Sequence, residues 1–239
     1  MRRATVVTVL GAGLIAAGGC GVVGNLSGIL DSLGSDSVTV ELVNGSPDFN
    51  VDVELYFGDE QGVFHALDGR TGEARWVFNA DAGITSSANF AGERLLFGSY
   101  DQNLYCLSTT DGTLIWQFET DGYIHGTPAV FAGAAVVAGC DGYLHLVDVK
   151  DGKEREKIPL GTYVGASVAV SQSRAYVGTF DNQVLGIDLD GAAVLWRYEH
   201  PQRPFPFYAS AAVMDDRILI GGRDKMVHAL EKRKGDVLW

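Results

Sequence analysis

Tryptophan recurs at a nearly fixed interval along this chain. Trp76, Trp116, Trp196 and Trp239 are separated by 40, 80 and 43 residues, and the vacant place in the series falls on Glu156. A period of this length, kept over most of a chain, is typical of repeat architectures in which each unit packs against its neighbours. The spacing therefore predicts a stack of similar units rather than one irregular domain.

Two other residue types keep the same phase. Glycine stands four residues before most of the series, at Gly72, Gly112, Gly152 and Gly235. Aspartate follows an apolar run in each unit, at Asp101, Asp141, Asp181 and Asp224. A large ring can fill the gap between units, glycine permits a tight turn, and aspartate can bond to backbone in an Asx turn. We therefore expect a structural, blade-docking role for Gly72, Trp76, Gly112, Trp116, Trp196, Gly235 and Trp239.

Each unit of about forty residues contains four short apolar runs separated by turn residues. In one unit they cover residues 95–98, 104–107, 114–118 and 127–131. Runs rich in β-branched and aromatic residues, bounded by Gly, Asp and Asn, indicate strands, and no window has a sustained helical period. Four strands per repeat predict an all-β fold, a β-propeller of four-stranded antiparallel blades covering about residues 51–239.

The number of units is small for a closed propeller. Closed propellers have about 4–8 blades, because closure protects the edges of the sheets. This chain supplies about four units, and residues 38–57 form either an Asn44-Gly45 hairpin that completes a blade or part of another module. We expect an incomplete or open propeller, completed by further blades or by association with another chain.

The N-terminus has the pattern of an export signal. Two arginines precede an apolar stretch over residues 4–17, which is shorter than the ~20 residues that span a bilayer. Ala17-Gly18-Gly19-Cys20 then resembles a bacterial lipobox, although Ala17 stands where Leu is usual. We interpret residues 1–20 as a lipoprotein-type signal peptide with lipidation at Cys20, and residues 21–50 as a tether. A plain signal peptide or a weak membrane anchor are the alternatives.

Charge and cysteine content narrow the possible partners. The formal net charge is −12, which argues against binding to nucleic acid or electrostatic docking on anionic lipid. Membrane attachment would then depend on the lipid anchor alone. Cys106 and Cys140 have no metal-binding spacing, and we expect both to be small buried hydrophobic residues.

Residues 64–76 read FHALDGRTGEARW, which resembles the repeat of the PQQ-like β-propeller family. The resemblance covers about residues 51–239 and implies the propeller fold. The family includes quinoprotein dehydrogenases that bind PQQ and calcium and often carry two adjacent cysteines, a pair that this sequence lacks. It also includes exported scaffolds, and the lipoprotein of the outer-membrane β-barrel assembly machinery has the same layout of lipobox, tether and repeats. The resemblance therefore implies a scaffold, for which no cofactor is expected.

Two groups of residues are candidates for a site. His65, His145 and His228 share one phase of the repeat, but they fall in different blades, so we interpret them as packing residues rather than metal ligands. The bends before the innermost strands should crowd one mouth of the propeller. They supply the candidate partner surface: Tyr123, His125, Tyr163, Arg203, Phe205, Phe207 and Tyr208. In the alternative interpretation, Phe205 and Phe207 tuck against the blade.

These observations favour a non-enzymatic, exported scaffold that binds an envelope protein or peptide. It would lie on the periplasmic side of the outer membrane or at the cell surface. A fragment of a PQQ-dependent quinoprotein oxidoreductase, with PQQ and calcium, and an ectodomain that senses a small ligand are the alternatives. No catalytic, cofactor-binding or metal-ligating residue is assigned, because no nucleophile set or carboxylate pair follows from spacing alone.

Overall fold

The computed structural model describes two short strands near the N-terminus and then residues 54–239. Strands β1 (Val7–Leu10) and β2 (Gly13–Ile15) form an antiparallel hairpin, and β1 pairs in parallel with β3. The predictions for Cys20 and for the tether over residues 21–50 concern positions outside the described residues. The signal peptide therefore stays a prediction.

The remaining strands form five consecutive blades. Blade 1 contains β3 (Glu54–Gly58), β4 (Val63–Asp68) and β5 (Ala74–Asn79). Blade 2 contains β6 (Asn89–Ala91), β7 (Arg94–Gly98), β8 (Asn103–Ser108) and β9 (Leu114–Glu119). Blade 3 contains β10 (Ala129–Phe131), β11 (Ala134–Ala138), β12 (Tyr143–Asp148) and β13 (Glu154–Pro159). Blade 4 contains β14 (Ala169–Ser171), β15 (Arg174–Gly178), β16 (Gln183–Asp188) and β17 (Ala193–Glu199). Blade 5 contains β18 (Ala212–Val213), β19 (Arg217–Gly221) and β20 (Val227–Glu231).

Blades 2, 3 and 4 are complete antiparallel meanders, with the strands in sequence order across each sheet. Blade 1 has three strands of its own, and β1 lies on the edge where the other blades carry their first strand. Blade 5 also has three, and a bridge between Leu230 and Val237 begins a fourth. The predicted all-β propeller with four-stranded antiparallel blades is confirmed, and the β1–β3 pair is the parallel exception among the described strands.

The first strands of blades 2 to 5 lie innermost in the arc. Strand β6 contacts β10, β10 contacts β14, and β14 contacts β18. A ladder of hydrogen bonds joins the bends that lead into these strands. The Ser87 N–H donates to Thr127 Oγ1 at 3.0 Å, Thr127 N–H to Ser167 Oγ at 3.0 Å, and Ser167 N–H to Ser210 Oγ at 3.2 Å. These hydroxyl residues repeat with the tryptophan period, a signal that the sequence analysis missed.

Tryptophan packs on the glycine of the following blade. A β-carbon on Gly152 would lie 2.8 Å from the Trp116 ring, and one on Gly235 would lie 2.5 Å from that of Trp196. Trp116 Nε1–H also donates to the Val149 carbonyl of blade 3 at 2.9 Å. The same relation joins the ring of Trp76 to Gly112. Each glycine therefore makes room for a neighbouring ring, in addition to taking the left-handed turn conformation.

Two of the expected docking residues lie outside this pattern. Trp239, the last residue of the sequence, is 62% exposed. Gly72 has a φ of 73° in the turn between β4 and β5, where its N–H bonds to the Asp68 carbonyl at 2.8 Å. The docking role predicted for Trp239 stays a prediction.

The residue paired with each tryptophan across the sheet is small. Its partners are Ala66 opposite Trp76, Cys106 opposite Trp116 and Gly186 opposite Trp196. Blade 3 has the larger Leu146 opposite Glu156, the position without a tryptophan. Where the ring is missing, a buried leucine therefore supplies apolar volume from the adjacent strand.

The two cysteines have different environments, although both are free. Cys106 is fully buried in β8, and burial raises the pKa of its thiol to about 12. Cys140 lies in the turn between β11 and β12 and is only partly buried. The expectation of a buried hydrophobic residue therefore holds for Cys106 and needs correction for Cys140.

Candidate partner surface

Turns and bends meet on one rim of the arc. In blades 2 to 4, the turn between the second and third strands contacts the bend that leads to the next blade. Ile124 N–H donates to the Ser99 carbonyl at 3.1 Å, and Val164 N–H donates to the Gly139 carbonyl at 3.0 Å. We call this rim the mouth face, comprising residues 59–62, 80–88, 99–102, 120–127, 140–142, 160–167, 179–182, 200–211 and 222–225.

One buried apolar residue anchors each bend beneath the mouth face. The anchors are Ile84, Ile124, Val164 and Phe207, each at most 2% exposed. They are spaced 40, 40 and 43 residues apart. Phe207 therefore belongs to the core, and its place on the predicted partner surface is corrected. The greater length of the fourth bend made it hard to align Phe207 with Val164. The spacing of 43 residues between Trp196 and Trp239 nevertheless indicates this alignment.

The first exposed group on the mouth face lies around blade 2. The rings of Tyr100 and Tyr123 have centroids 5.6 Å apart, and His125 lies edge-on to Tyr100 at 4.8 Å. The His125 ring also hydrogen-bonds the Tyr100 hydroxyl at 3.1 Å, and burial lowers the pKa of this histidine. Tyr123 is 50% exposed. The predicted residues Tyr123 and His125 thus meet, and Tyr100 joins them from the neighbouring turn.

A second aromatic group lies between blades 4 and 5. Phe180 and Tyr208 have ring centroids 4.7 Å apart, and the Arg223 guanidinium lies 5.2 Å from the Tyr208 ring. Phe205, in the same bend as Tyr208, is 48% exposed. Arg203 extends to the Met226 sulfur at 3.4 Å. The predicted residues of this long bend other than Phe207 therefore lie at the surface.

Between the two aromatic groups, blade 3 presents a pocket of about 360 Å³. Its lining combines carboxylates, aromatic rings and a hydroxyl: Asp141, Gly142, Tyr143, Pro159, Gly161, Thr162, Tyr163 and Asp181. The predicted residue Tyr163 forms one wall and is 58% exposed. Sequence reasoning missed Tyr143, Thr162 and Asp181 as candidates for this surface.

The turn aspartates bond inward in most blades. Asp141 Oδ1 accepts the Tyr143 N–H at 3.1 Å, and Asp224 Oδ1 accepts the Met226 N–H at 3.0 Å, as the Asx prediction requires. The other oxygen of each contacts a histidine, His145 at 2.6 Å and His228 at 3.0 Å. His65 similarly contacts Asp59 at 2.9 Å. The three histidines are therefore paired with aspartates of their own blades.

No group of three or more metal-ligating side chains occurs in the part of the chain that the structure describes. Within the same residues, no helix has the length and apolarity of a membrane span. The exposed aromatic residues and the pocket lie together on the mouth face.

A family model described as outer membrane protein assembly factor BamB matches residues 37–163 and 124–239. The chain belongs to this family. BamB of Yersinia pestis is 22% identical over 209 residues, which cover 77% of this chain and 53% of that protein. The structure of BamB from Moraxella catarrhalis superimposes with a TM-score of 0.66 at 23% identity, over 77% of this chain and 56% of that one.

The repeats of this BamB-family chain also occur in a protein with another name. The beta-alanine-activating enzyme of Danio rerio is 31% identical over 113 residues, covering 44% of this chain and 10% of that protein. The chain spans about half the length of the Yersinia relative and a tenth of the Danio one. The family resemblance stated from residues 64–76 is confirmed, and similar repeats occur in a protein with a different name.

Proposed function

We propose that this chain is a non-enzymatic scaffold of the cell envelope that binds a protein or peptide through the mouth face. The observation that supports this most directly is the exposure of aromatic rings there. Tyr123, Tyr163 and Phe205 are each about half exposed on adjacent bends. Aromatic residues beside arginine are the side chains enriched at the energetic centres of protein interfaces.

Membership of the BamB family supports the envelope location, since the family description names outer-membrane protein assembly. The proposal includes export, lipidation at Cys20 and residence on the periplasmic side of the outer membrane or at the cell surface. It assigns no cofactor. The quinoprotein alternative would require PQQ and calcium.

Site-specific photo-crosslinking tests the docking surface. A photoreactive phenylalanine analogue replaces Tyr123 or Tyr163 in the full chain, expressed in its native envelope. The matched control carries the analogue at Thr110, an exposed turn residue on the rim opposite the mouth face. We expect a discrete crosslinked protein from positions 123 and 163 and none from position 110. Equal crosslinking at all three positions, or PQQ-dependent dye reduction by the purified chain, would contradict the proposal.

A further inference from the structure

Asp181 differs from the turn aspartates of the neighbouring blades. In blades 3 and 5 the equivalent aspartate bonds a backbone N–H and a histidine. In blade 4 the position of that histidine is taken by Leu185, which is fully buried and cannot hydrogen-bond. The carboxylate of Asp181 has no hydrogen-bond or ion-pair partner among the residues that the structure describes.

The turn of blade 4 is held without Asp181. Thr179 Oγ1 accepts the Gln183 N–H at 3.1 Å, and the Thr179 hydroxyl lies 3.1 Å from the Gln183 carbonyl. The work done by the aspartate in blade 3 is thus done here by a threonine. Asp181 is exposed, lines the pocket of blade 3 and stabilises nothing within its own turn. Its negative charge is therefore available to a ligand.

The other walls of the pocket suit a cation with an apolar stem. Tyr143, Tyr163 and Pro159 supply ring surface, and aromatic faces attract cations through their quadrupole. The Nζ of Lys157 already lies 4.1 Å from the centroid of the Tyr143 ring, so this ring takes an ammonium group within the chain itself. Aromatic faces beside a free carboxylate are an environment that arginine fits well.

A buried hydroxyl on the pocket wall has no partner. Thr162 is 6% exposed, and its Oγ1 makes no hydrogen bond among the described residues. The equivalent residues of blades 1 and 2 are Ala82 and Gly122, so the hydroxyl is not needed by the bend. Unsatisfied buried polar atoms are uncommon and call for an explanation.

We propose that the pocket formed by Asp181, Tyr163, Tyr143 and Thr162 binds an arginine side chain of the partner protein. The proposal rests on the proposed function and deepens it, because it names the chemistry of one anchoring residue on the partner. The guanidinium pairs with the Asp181 carboxylate and stacks on the exposed Tyr163 ring, while its stem lies along Pro159. The pocket volume of about 360 Å³ is at the small end of ligand pockets.

Titration of the full chain with labelled peptides tests this pocket. The probes are acetyl-Gly-Arg-Gly-amide and the same peptide with citrulline, a neutral analogue of similar shape. We expect the arginine peptide to bind at least about tenfold more tightly at low salt, and the difference to shrink as salt screens the charge pair. Equal affinities for the two peptides would overturn the proposal.

Two variants assign the binding to the pocket. Asp181→Asn should weaken the arginine peptide about tenfold without lowering the thermal midpoint, because Asp181 makes no bond within the fold. Asp215→Asn removes the same charge from an exposed turn of blade 5 and should leave the affinity unchanged. Equal losses in the two variants would show general electrostatic attraction and overturn the pocket.

Methylguanidinium separates a protein side chain from a small free cation. It carries the charge without the stem, and we expect it to bind at least about tenfold more weakly than the peptide. Equal binding would identify a small cation as the ligand and overturn the assignment to a partner protein. Loss of peptide binding with retained crosslinking from position 123 would overturn this inference alone, whereas loss of crosslinking would count against the proposed function.

Discussion

The two faces of blade 3 are built in different ways. On the side of blade 2, the Trp116 ring lies on Gly152 and fills the interface with one large group. On the side of blade 4, Glu156 stands where the ring would be, and the facing turn has Ala192 in place of glycine. The core there consists of aliphatic side chains such as Leu146 and Ile187, with Phe131 at its margin.

This difference shows that an interface without the tryptophan ring also lacks the glycine that faces it. Ala192 keeps the left-handed conformation of the turn, with a φ of 48°, where the other turns have glycine at about 70°. A β-carbon is tolerated at this position because no ring from the preceding blade approaches it. The conformation alone therefore does not require glycine in this fold, whereas the tryptophan of the neighbouring blade does.

The largest effect is expected from removing the ring. Trp116→Ala should lower the free energy of unfolding by about 3–5 kcal/mol, because it removes a buried aromatic side chain and leaves a cavity. Glu156→Ala, at the equivalent position of blade 3, should change it by less than about 0.5 kcal/mol, since Glu156 is exposed. Urea denaturation of both variants measures the difference. Similar losses in the two variants would mean that the interfaces do not differ as described.

The next effect concerns the turn that receives the ring. Gly152→Ala should cost about 2–3 kcal/mol, because the new β-carbon would meet the Trp116 ring and the turn would have to shift. The reciprocal change, Ala192→Gly, should stay within about 1 kcal/mol, since relief of backbone strain offsets added freedom in the unfolded chain. Comparison of urea midpoints checks both. A tolerated Gly152→Ala would show that the ring can move aside.

A smaller effect, the pH dependence of stability, distinguishes the turn of blade 3 from that of blade 4. Burial alone would lower the pKa of His145, but its hydrogen bonds with Asp141 and Glu154 raise it above the ordinary value. Burial would raise the pKa of Asp141, but the His145 contact lowers it. The histidine contribution to stability is complete below about pH 6.5 and is lost as pH rises through its raised pKa. The aspartate contribution is lost only in acid, below about pH 4.

Thermal midpoints between about pH 6 and pH 9 test this assignment. Wild type should lose stability over this range, and His145→Gln should lose the part that depends on the pair. Leu185→Met changes the equivalent position of blade 4 while keeping its volume, and it should leave the pH dependence as in wild type. A pH profile that His145→Gln does not alter would mean that the histidine is already neutral at pH 6.

Most of the fold could be predicted from the forty-residue period of the sequence. Trp, Gly and Asp marks were sufficient to predict four-stranded blades, because each mark belongs to one turn or strand of the unit. The direction of docking could not be predicted, since a repeat does not say which neighbour its glycine serves. Trp76 could pack on Gly72 of its own unit or on Gly112, the equivalent glycine of the next unit. The spacing of the residues agrees with both arrangements.

The candidate surface was predictable in part. Tyr123, Tyr163 and Tyr208 lie on the mouth face because all the bends that connect successive blades lie on that rim. The burial of Phe207 could have been predicted from its spacing from Val164, which equals the spacing of the last two tryptophans. The extra residues of that bend suggested an exposed loop instead. The free carboxylate of Asp181 also had a signal, since Leu185 replaces the histidine or tyrosine of other units. Its meaning depends on contacts that a linear pattern does not contain.

Because Trp76, Trp116 and Trp196 each pack on a glycine of the next blade, the units of this propeller cannot be exchanged freely by recombination. Loss of the 40 residues from 117 to 156 would keep the period intact and join two well-formed strand patterns. It would also set Trp116 against Ala192, whose β-carbon stands where Gly152 leaves space for the ring. Duplication or deletion of a single repeat is therefore compatible with folding only when each tryptophan still faces a glycine in the following blade. The evolution of each repeat is thus linked to that of the repeat after it.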